Sequence, residues 1–369
     1  MWSATSDHRK SKIRRIPPKC AGESGQGDSV KTGNRHEPAG SSYRAGVFGF
    51  ILCAFVLAFC LSVQAQQPMQ IPRIGFLIVS TPTAIADRLE AFRQGLRELG
   101  YVEGKNVIIE QRWAAGQIER MPELATELMR LKVDMILSAG PQATRVAKQT
   151  TSTTPIIMGF DNDPVGNGFV ASLARPGGNI TGLSTLAPEI SGKQLELLSE
   201  LIPQLSRVAV LGSSTQPGTA QTFKELELAA KNLTIKLQFL DVLQTKDMET
   251  AFGAAATRRA DAVMVLNSPV FNSPRTQITG LAAKSHLPAF YWATEFVEAG
   301  GLMTYSVNFA DLFRRAATYV DKILKGRKPA DLPVEQPKKF DFIINLKAAK
   351  QIGLTIPPKV LARADRVIK

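Results

Sequence analysis

Residues 158–185 read MGFDNDPVGNGFVASLARPGGNITGLST. The run opens as the end of a strand, PIIMGF (155–160), and breaks at once into Asp161, Asn162, Asp163 and Pro164. Open α/β sheets place ligands just outside the carboxyl ends of their strands, at breaks of this kind. An apolar piece, Phe169 to Leu173, follows and stops at Arg175-Pro176-Gly177-Gly178. Proline fixes one backbone angle, and glycine permits angles that other residues avoid. NITGLS (179–184) then reads as a short extended segment. One set of strand and helix signals lies upstream and a similar set lies downstream. The stretch therefore reads as a ligand-facing loop followed by a crossing between two lobes. The alternative is an ordinary surface loop between two Rossmann-like units.

Upstream, RIGFLIVS (73–80) is a continuous apolar run ending in a small hydroxyl residue, the pattern of a strand buried on both faces of a parallel sheet. Leu89, Phe92, Leu96 and Leu99 recur at helical spacing, and Gly100 ends that helix. NVIIE (106–110) and VDMILSAG (133–140) are further strands, separated by a helix marked by Leu124, Leu128 and Leu131. A third helix over 142–149 precedes PIIMGF. Alternating strands and helices imply right-handed βαβ units and a parallel sheet covered on both faces.

Downstream the pattern restarts. RVAVLGSS (207–214) mirrors RIGFLIVS, ADAVMVLNS (260–268) mirrors VDMILSAG, and LPAFYW (287–292) mirrors PIIMGF. The spacing agrees: Pro155 lies 82 residues after Arg73, and Pro288 lies 81 after Arg207. GGLMTYSVN (300–308) reads as a second crossing, and Leu312, Ala316, Val320 and Ile323 as a helix stopped by Gly326. PADLPVEQPKKFDFIINL (329–346) is proline-rich and then extended, which reads as a third crossing, and two short helices end the chain.

A chain of 369 residues is long enough for two domains, and 44% hydrophobic with 21% charged residues is ordinary for a globular protein. The net charge of +13 is uneven: residues 1–46 hold nine Lys and Arg against four Asp and Glu, and the rest is spread without a basic block. No aromatic-basic interleaving or helix-turn-helix pattern is present, so nucleic acid is not an expected partner. Residues 47–63, VFGFILCAFVLAFCLSV, carry no charge, and Val63-Gln64-Ala65 has the form of an export cleavage site. This predicts a disordered basic leader over 1–46, a signal peptide over 47–65 and periplasmic localisation, with a retained membrane anchor as the alternative. All three cysteines, Cys20, Cys53 and Cys60, fall in the leader, and His286 is the one histidine of the body. The mature chain is thereby expected to lack disulfides, a thiol nucleophile and a Cys/His metal cluster.

The quoted motifs ARPGGNITGLS (174–184), EFVEAGGLMTYS (295–306), the run from Lys322 to Asp365 and the opening RIGFLIVS resemble the ABC-transporter substrate-binding proteins of the TrpX-like group. The resemblance covers about residues 71–367. One departure is GLMTYSVN, where the family more often has glycine after the tyrosine. The resemblance implies the type I periplasmic-binding-protein fold, α/β with two Rossmann-like lobes joined by a hinge. The repeated pattern places lobe one at 71–182 plus 303–328 and lobe two at 183–302, and the resemblance assigns the tail, 329–369, to lobe two. It implies a monomeric binder without cofactor that captures a small molecule, an amino acid or related carboxylate, and delivers it to a membrane permease. A membrane-tethered sensor and a two-lobed enzyme such as a glycosyltransferase are the alternatives. Against an enzyme, no P-loop and no GxGxxG follows a strand.

Strand ends supply the expected ligand-binding groups: Ser80, Thr81, Gly140, Gln142, Thr144, Phe160, Asp161 and Asp163 from lobe one, and Ser213, Ser214, Thr215, Asn267, Ser268, Tyr291 and Glu295 from lobe two. Hydroxyls and helix N-terminal amides suit a carboxylate. Asp161, Asp163 or Glu295 suits an ammonium group. Phe160, Phe271, Tyr291 and Trp292 are candidates to face an apolar side chain. Against each stands a plain reading: a helix N-cap for the hydroxyls, a turn device for Asp161 and Asp163, and core packing for Phe271 and Trp292.

Overall fold

The computed structural model describes residues 71–369. The leader, the apolar run and the cleavage site lie outside the described residues. The first lobe is built as β1 (Arg73–Ile78), α1 (Ala86–Glu98), β2 (Ile108–Trp113), α2 (Met121–Arg130), β3 (Met135–Ser138), α3 (Pro141–Thr150), β4 (Ile156–Asp161) and β5 (Ile180–Ser184). The second follows as α4 (Ala187–Leu201), β6 (Arg207–Gly212), α5 (Thr219–Leu233), β7 (Lys236–Asp241), α6 (Met248–Thr257), β8 (Ala262–Val265), α7 (Arg275–Lys284), β9 (Ala289–Tyr291), α8 (Thr294–Glu298) and β10 (Met303–Ser306). The chain ends with α9 (Phe309–Leu324), β11 (Asp341–Asn345), α10 (Leu346–Gln351), α11 (Pro358–Leu361) and β12 (Arg366–Ile368).

Two separate sheets result. The first has strand order β2-β1-β3-β4-β5 and the second β12-β11-β10-β9-β8-β6-β7. Every pairing is parallel except β10 with β11. The central strands β1, β3, β4, β6 and β8 are almost wholly buried, as parallel strands covered on both faces must be.

The chain passes between the lobes three times. Residues 185–186 leave β5 for α4, with Leu186 in the left-handed region at φ 54°. Residues 307–308 leave β10 for α9, which Asn308 caps by accepting from the Asp311 N–H at 3.0 Å. The last crossing runs from Glu335 to β11. Before it, residues 332–335 lie along β5: the Thr181 hydroxyl donates to Leu332 O at 2.6 Å, and the Ser184 N–H to Glu335 O at 2.9 Å.

These pairings move the expected lobe boundaries. β10 belongs to the second sheet, although residues 303–306 were expected in lobe one. The last two residues of β5, 183–184, and the segment 329–335 belong with lobe one. β12 reads from sequence as the end of a terminal helix but pairs with β11 as a short edge strand. His286, expected late in a helix, follows the end of α7 with φ 52°.

α9 is the one helix of lobe one contributed from beyond lobe two. Its buried stripe, Leu312, Phe313, Ala316, Ala317 and Val320, packs on α1 and β4. The helices approach so closely at Gly95 that an added Cβ would stand 2.2 Å from Arg314 O. Phe313 lies 6.0 Å from Phe76 and 6.3 Å from Phe160, so this helix completes the aromatic centre of the lobe.

Candidate functional site

The carboxyl ends of the two sheets face each other. From the first come Ser80 after β1, Gly140 and Gln142 after β3, and Phe160 to Asn162 at the end of β4. From the second come Gln216 and Thr219 after β6, Asn267 and Ser268 after β8, and Trp292 after β9. Direct hydrogen bonds join them. Asn272 Nδ2 donates to Ser80 Oγ at 2.8 Å, Asn267 Nδ2 to Asn162 Oδ1 at 2.7 Å, Arg145 Nη1 to Thr215 O at 3.2 Å and Arg275 Nη2 to Ala84 O at 2.6 Å. An open trough of about 1070 Å³ with Thr81, Gln142 and Thr215 on its walls leads inward. Two small inner cavities lie at the interface: about 10 Å³ beside Ser80, Gly140, Phe160 and Gln216, and about 40 Å³ beside Asn162, Thr219, Trp292 and Ser306.

The backbone fixes which side chains reach these cavities. Gly140 has φ 105°, and a Cβ there would stand 2.9 Å from the Phe160 ring. Strand alternation turns Phe160 and Asn162 inward and Asp161 away. Asp161 Oδ1 instead accepts from the Asp163 N–H at 2.9 Å and from Asn167 Nδ2 at 2.8 Å. Asp163 Oδ1 accepts from the Gly166 N–H at 2.8 Å. Both carboxylates thus shape the 163–167 turn, and neither lines a cavity. The expected anchoring of a positive ligand group by this pair has no geometric support, because strand parity aims the first carboxylate at its own loop.

Four other expected ligand groups are engaged elsewhere. Thr144 is fully buried, shares a 2.8 Å hydrogen bond with Ser138 and donates to Gly140 O, so it secures the start of α3. Ser214 is tied to Asp241 on β7 through its N–H at 2.8 Å and its hydroxyl at 2.6 Å. Tyr291 is stacked on Phe296 in the core, 5.2 Å between rings, and burial holds its phenol well above the ordinary range. Glu295 accepts from Arg88 Nε at 3.1 Å and Nη2 at 2.6 Å. Ser213 shares a 3.0 Å contact with Thr215, and Thr81 one of 3.5 Å with Ser273. Phe271 is core, whereas Trp292 lines the larger inner cavity.

The sequence reading missed Arg88, Gln216, Thr219, Asn272 and Ser306. Arg88 left a signal: it stands four and eight residues before Phe92 and Leu96, on the apolar stripe of α1. Its guanidinium lies 4.3 Å from the Phe309 ring centre and 5.4 Å from that of Trp292.

Burial pushes the Asp161 carboxyl up to about 7, against the pull of its Asn167 and Asp163 hydrogen bonds. The folded protein therefore holds a proton here that the unfolded chain has released above its ordinary value of 3.8. The sign follows: stability falls as pH rises from about 4 to about 7, then levels off. Asp161→Asn keeps the turn acceptor and removes the titration. Urea unfolding of this variant is expected to show a flatter profile over that window than wild type.

Among the described residues no group of His, Cys, Asp and Glu side chains has metal-binding geometry. Residues 76–368 match the profile of the ABC transporter substrate binding protein family. The chain belongs to that family. The two-lobed architecture is the type I periplasmic-binding-protein fold. The substrate-binding protein is 28% identical to a conserved domain protein of Vibrio cholerae, with a TM-score of 0.77 over 81% of this chain and 100% of that one. It is 27% identical to the ABC domain from Streptococcus pneumonia solved with L-Trp, with a TM-score of 0.76 over 80% and 99% of the chains. A tyrosine-binding protein of Clostridioides difficile is 23% identical over 72% of this chain and 76% of its own length. Members of the family bind small-molecule ligands and work with ABC permeases, and the family is typically extracytoplasmic.

Proposed function

We propose that this substrate-binding protein captures an amino acid or related small carboxylate, most simply an aromatic one, between its lobes and delivers it to a permease for import. One observation carries the reading. Among the described residues eight buried side-chain polar atoms have no protein partner, and six of them sit where the two lobes face each other: on Gln142, Gln216, Thr219, Ser268, Trp292 and Ser306. Buried polar groups are almost always hydrogen-bonded, so six without partners at one interface point to a polar guest. The aromatic rings of Phe160, Trp292 and Phe309 stand beside them, edge to face at 5.0 and 5.1 Å, and suit a flat apolar side chain. The tyrosine- and tryptophan-binding relatives agree with that chemistry.

A thermal-shift screen of the amino acids and small carboxylates tests this. A ligand at a hundred times its dissociation constant stabilises by about 2.7 kcal/mol, expected here as a rise of about 5 °C in Tm. Tyrosine and tryptophan are the expected hits, recovered chemically unchanged after long incubation. A screen without any shift, or a product peak, counts against the reading. The same proposal places the mature protein in the periplasm after cleavage following Ala65, which the mass of the secreted chain reports directly.

A further inference from the structure

The larger inner cavity, resting on the reading just given, has a more specific chemistry than its lobes require. It lies at the start of α5, where the N-cap Gly218 has φ 85° and no side chain caps the helix. No acidic residue occupies the first turn of that helix. Its N-terminal N–H groups thus present uncompensated positive dipole to the cavity.

Three residues that line the same space each carry an unpartnered buried polar atom: the Thr219 hydroxyl, the Ser306 hydroxyl and the Trp292 Nε1–H. Thr219, Ser306 and Trp292 are each more than nine-tenths buried. An indole N–H only donates, so its partner must be an acceptor, and the two hydroxyls are free to donate as well. The neighbouring amides are already engaged: Asn162 Oδ1 accepts from Asn267, and Gln194 Nε2 donates to Tyr305 O at 2.8 Å. Among the described residues no ionisable side chain lines the cavity. A cationic guest would find no countercharge there. An anion would meet three side-chain donors and a helix N-terminus, with no carboxylate to repel it. The volume of about 40 Å³ admits a head group, not a whole ligand.

We infer that this cavity is the carboxylate subsite, held by Thr219, Ser306 and Trp292 at the N-terminus of α5. The rest of the ligand then extends toward Phe160 and the outer trough. Thr219 opens α5 and Trp292 follows β9, both in lobe two, and Ser306 ends β10 just before the second crossing. The carboxylate is therefore held beside the hinge.

Acid and amide pairs test the assignment. L-Tyrosine and L-tryptophan are titrated by calorimetry against L-tyrosinamide and L-tryptophanamide, with the corresponding 2-hydroxy acids as probes that lack the ammonium group. Each amide is expected to bind roughly ten- to a hundredfold more weakly than its acid, the loss of a charge-assisted hydrogen bond. Thr219→Val and Ser306→Ala are expected to weaken the acids by a similar factor and to leave the amides almost unchanged. Thr219→Ser restores the hydroxyl and is expected to recover acid binding, which separates a lost donor from a disturbed fold. If the amino acids bind and their amides bind as tightly, the carboxylate assignment fails while the amino-acid reading stands. If the hydroxy acids bind as tightly as the amino acids, the assignment stands and the ligand class widens beyond amino acids. If no acid of the series binds, the assignment is overturned.

Discussion

Glu295→Ala is expected to destabilise the protein by about 3 kcal/mol, because it leaves the Arg88 guanidinium buried without its countercharge. Arg88 belongs to lobe one and Glu295 to lobe two, and their side chains are 4% and 21% exposed. The arginine is enclosed by the rings of Phe160, Trp292 and Phe309, which replace water poorly as a partner for a charge. Removing both charges is a different experiment. Arg88→Met with Glu295→Gln keeps the volume and is expected to lie within about 1 kcal/mol of wild type, since a buried pair recovers little more than its own desolvation. Burial raises the Glu295 carboxyl, but the charge and hydrogen bond of Arg88, with Arg275 behind it, more than offset this and hold it below the ordinary range. The pair therefore contributes fully above the ordinary value of 4.5, and its contribution fades as pH falls through the lowered folded value. Denaturant titrations of the single and double variants at neutral and acid pH measure this. Equal loss in single and double variants would contradict it.

Gly182→Ala is expected to cost more, on the order of 4 kcal/mol, or to yield no folded protein. Gly182 lies in β5 with φ 137°, and an added Cβ would stand 2.3 Å from Met158 O and 2.5 Å from Met158 N. These are backbone atoms of β4 and cannot rotate aside. The β4–β5 register shifts just beyond this point, between Met158 and Asp161, so the clash falls where the sheet turns into the first crossing. Gly178→Ala is the control from the same motif. It has open space around it and no positive φ, so a change within about 1 kcal/mol is expected. Paired thermal melts of the two variants decide the matter; similar melting temperatures would remove the argument.

Those two glycines also show where a sequence stops being legible. In RPGGNITGL both are glycine, and nothing in the letters separates a solvent-facing position from one pressed against a neighbouring backbone. The strands were readable because parallel strands covered on both faces must be apolar throughout, as β1 and β6 are. β12 was not, since an edge strand with an exposed arginine shows no pattern. β10 was placed in the wrong lobe because Gly300-Gly301 before it suggested a link, whereas its place is set by pairing with β9 and the distant β11. At the site, the rule that ligands gather at strand ends located the region. It did not say which residue of Phe160-Asp161-Asn162 faces inward, which depends on strand parity at the last pair. Arginine in a helix reads by default as a solvent-facing residue, and only its register with Phe92 and Leu96 told otherwise for Arg88.

The late arrival of α9 imposes an order on biogenesis. Helix α9 covers α1 and β4, but residues 187–306 are made between β5 and this helix. An exported chain emerges in the same N-to-C order, so an interval separates the two. Through it, the emerging first half displays Phe76 and Phe160 without the helix whose Phe313 packs on both. The second sheet can meanwhile pair β6 through β10 from contiguous sequence. The lobe that begins first is thus the lobe that finishes last, and the newborn N-terminal half is the part of this molecule most in need of a chaperone.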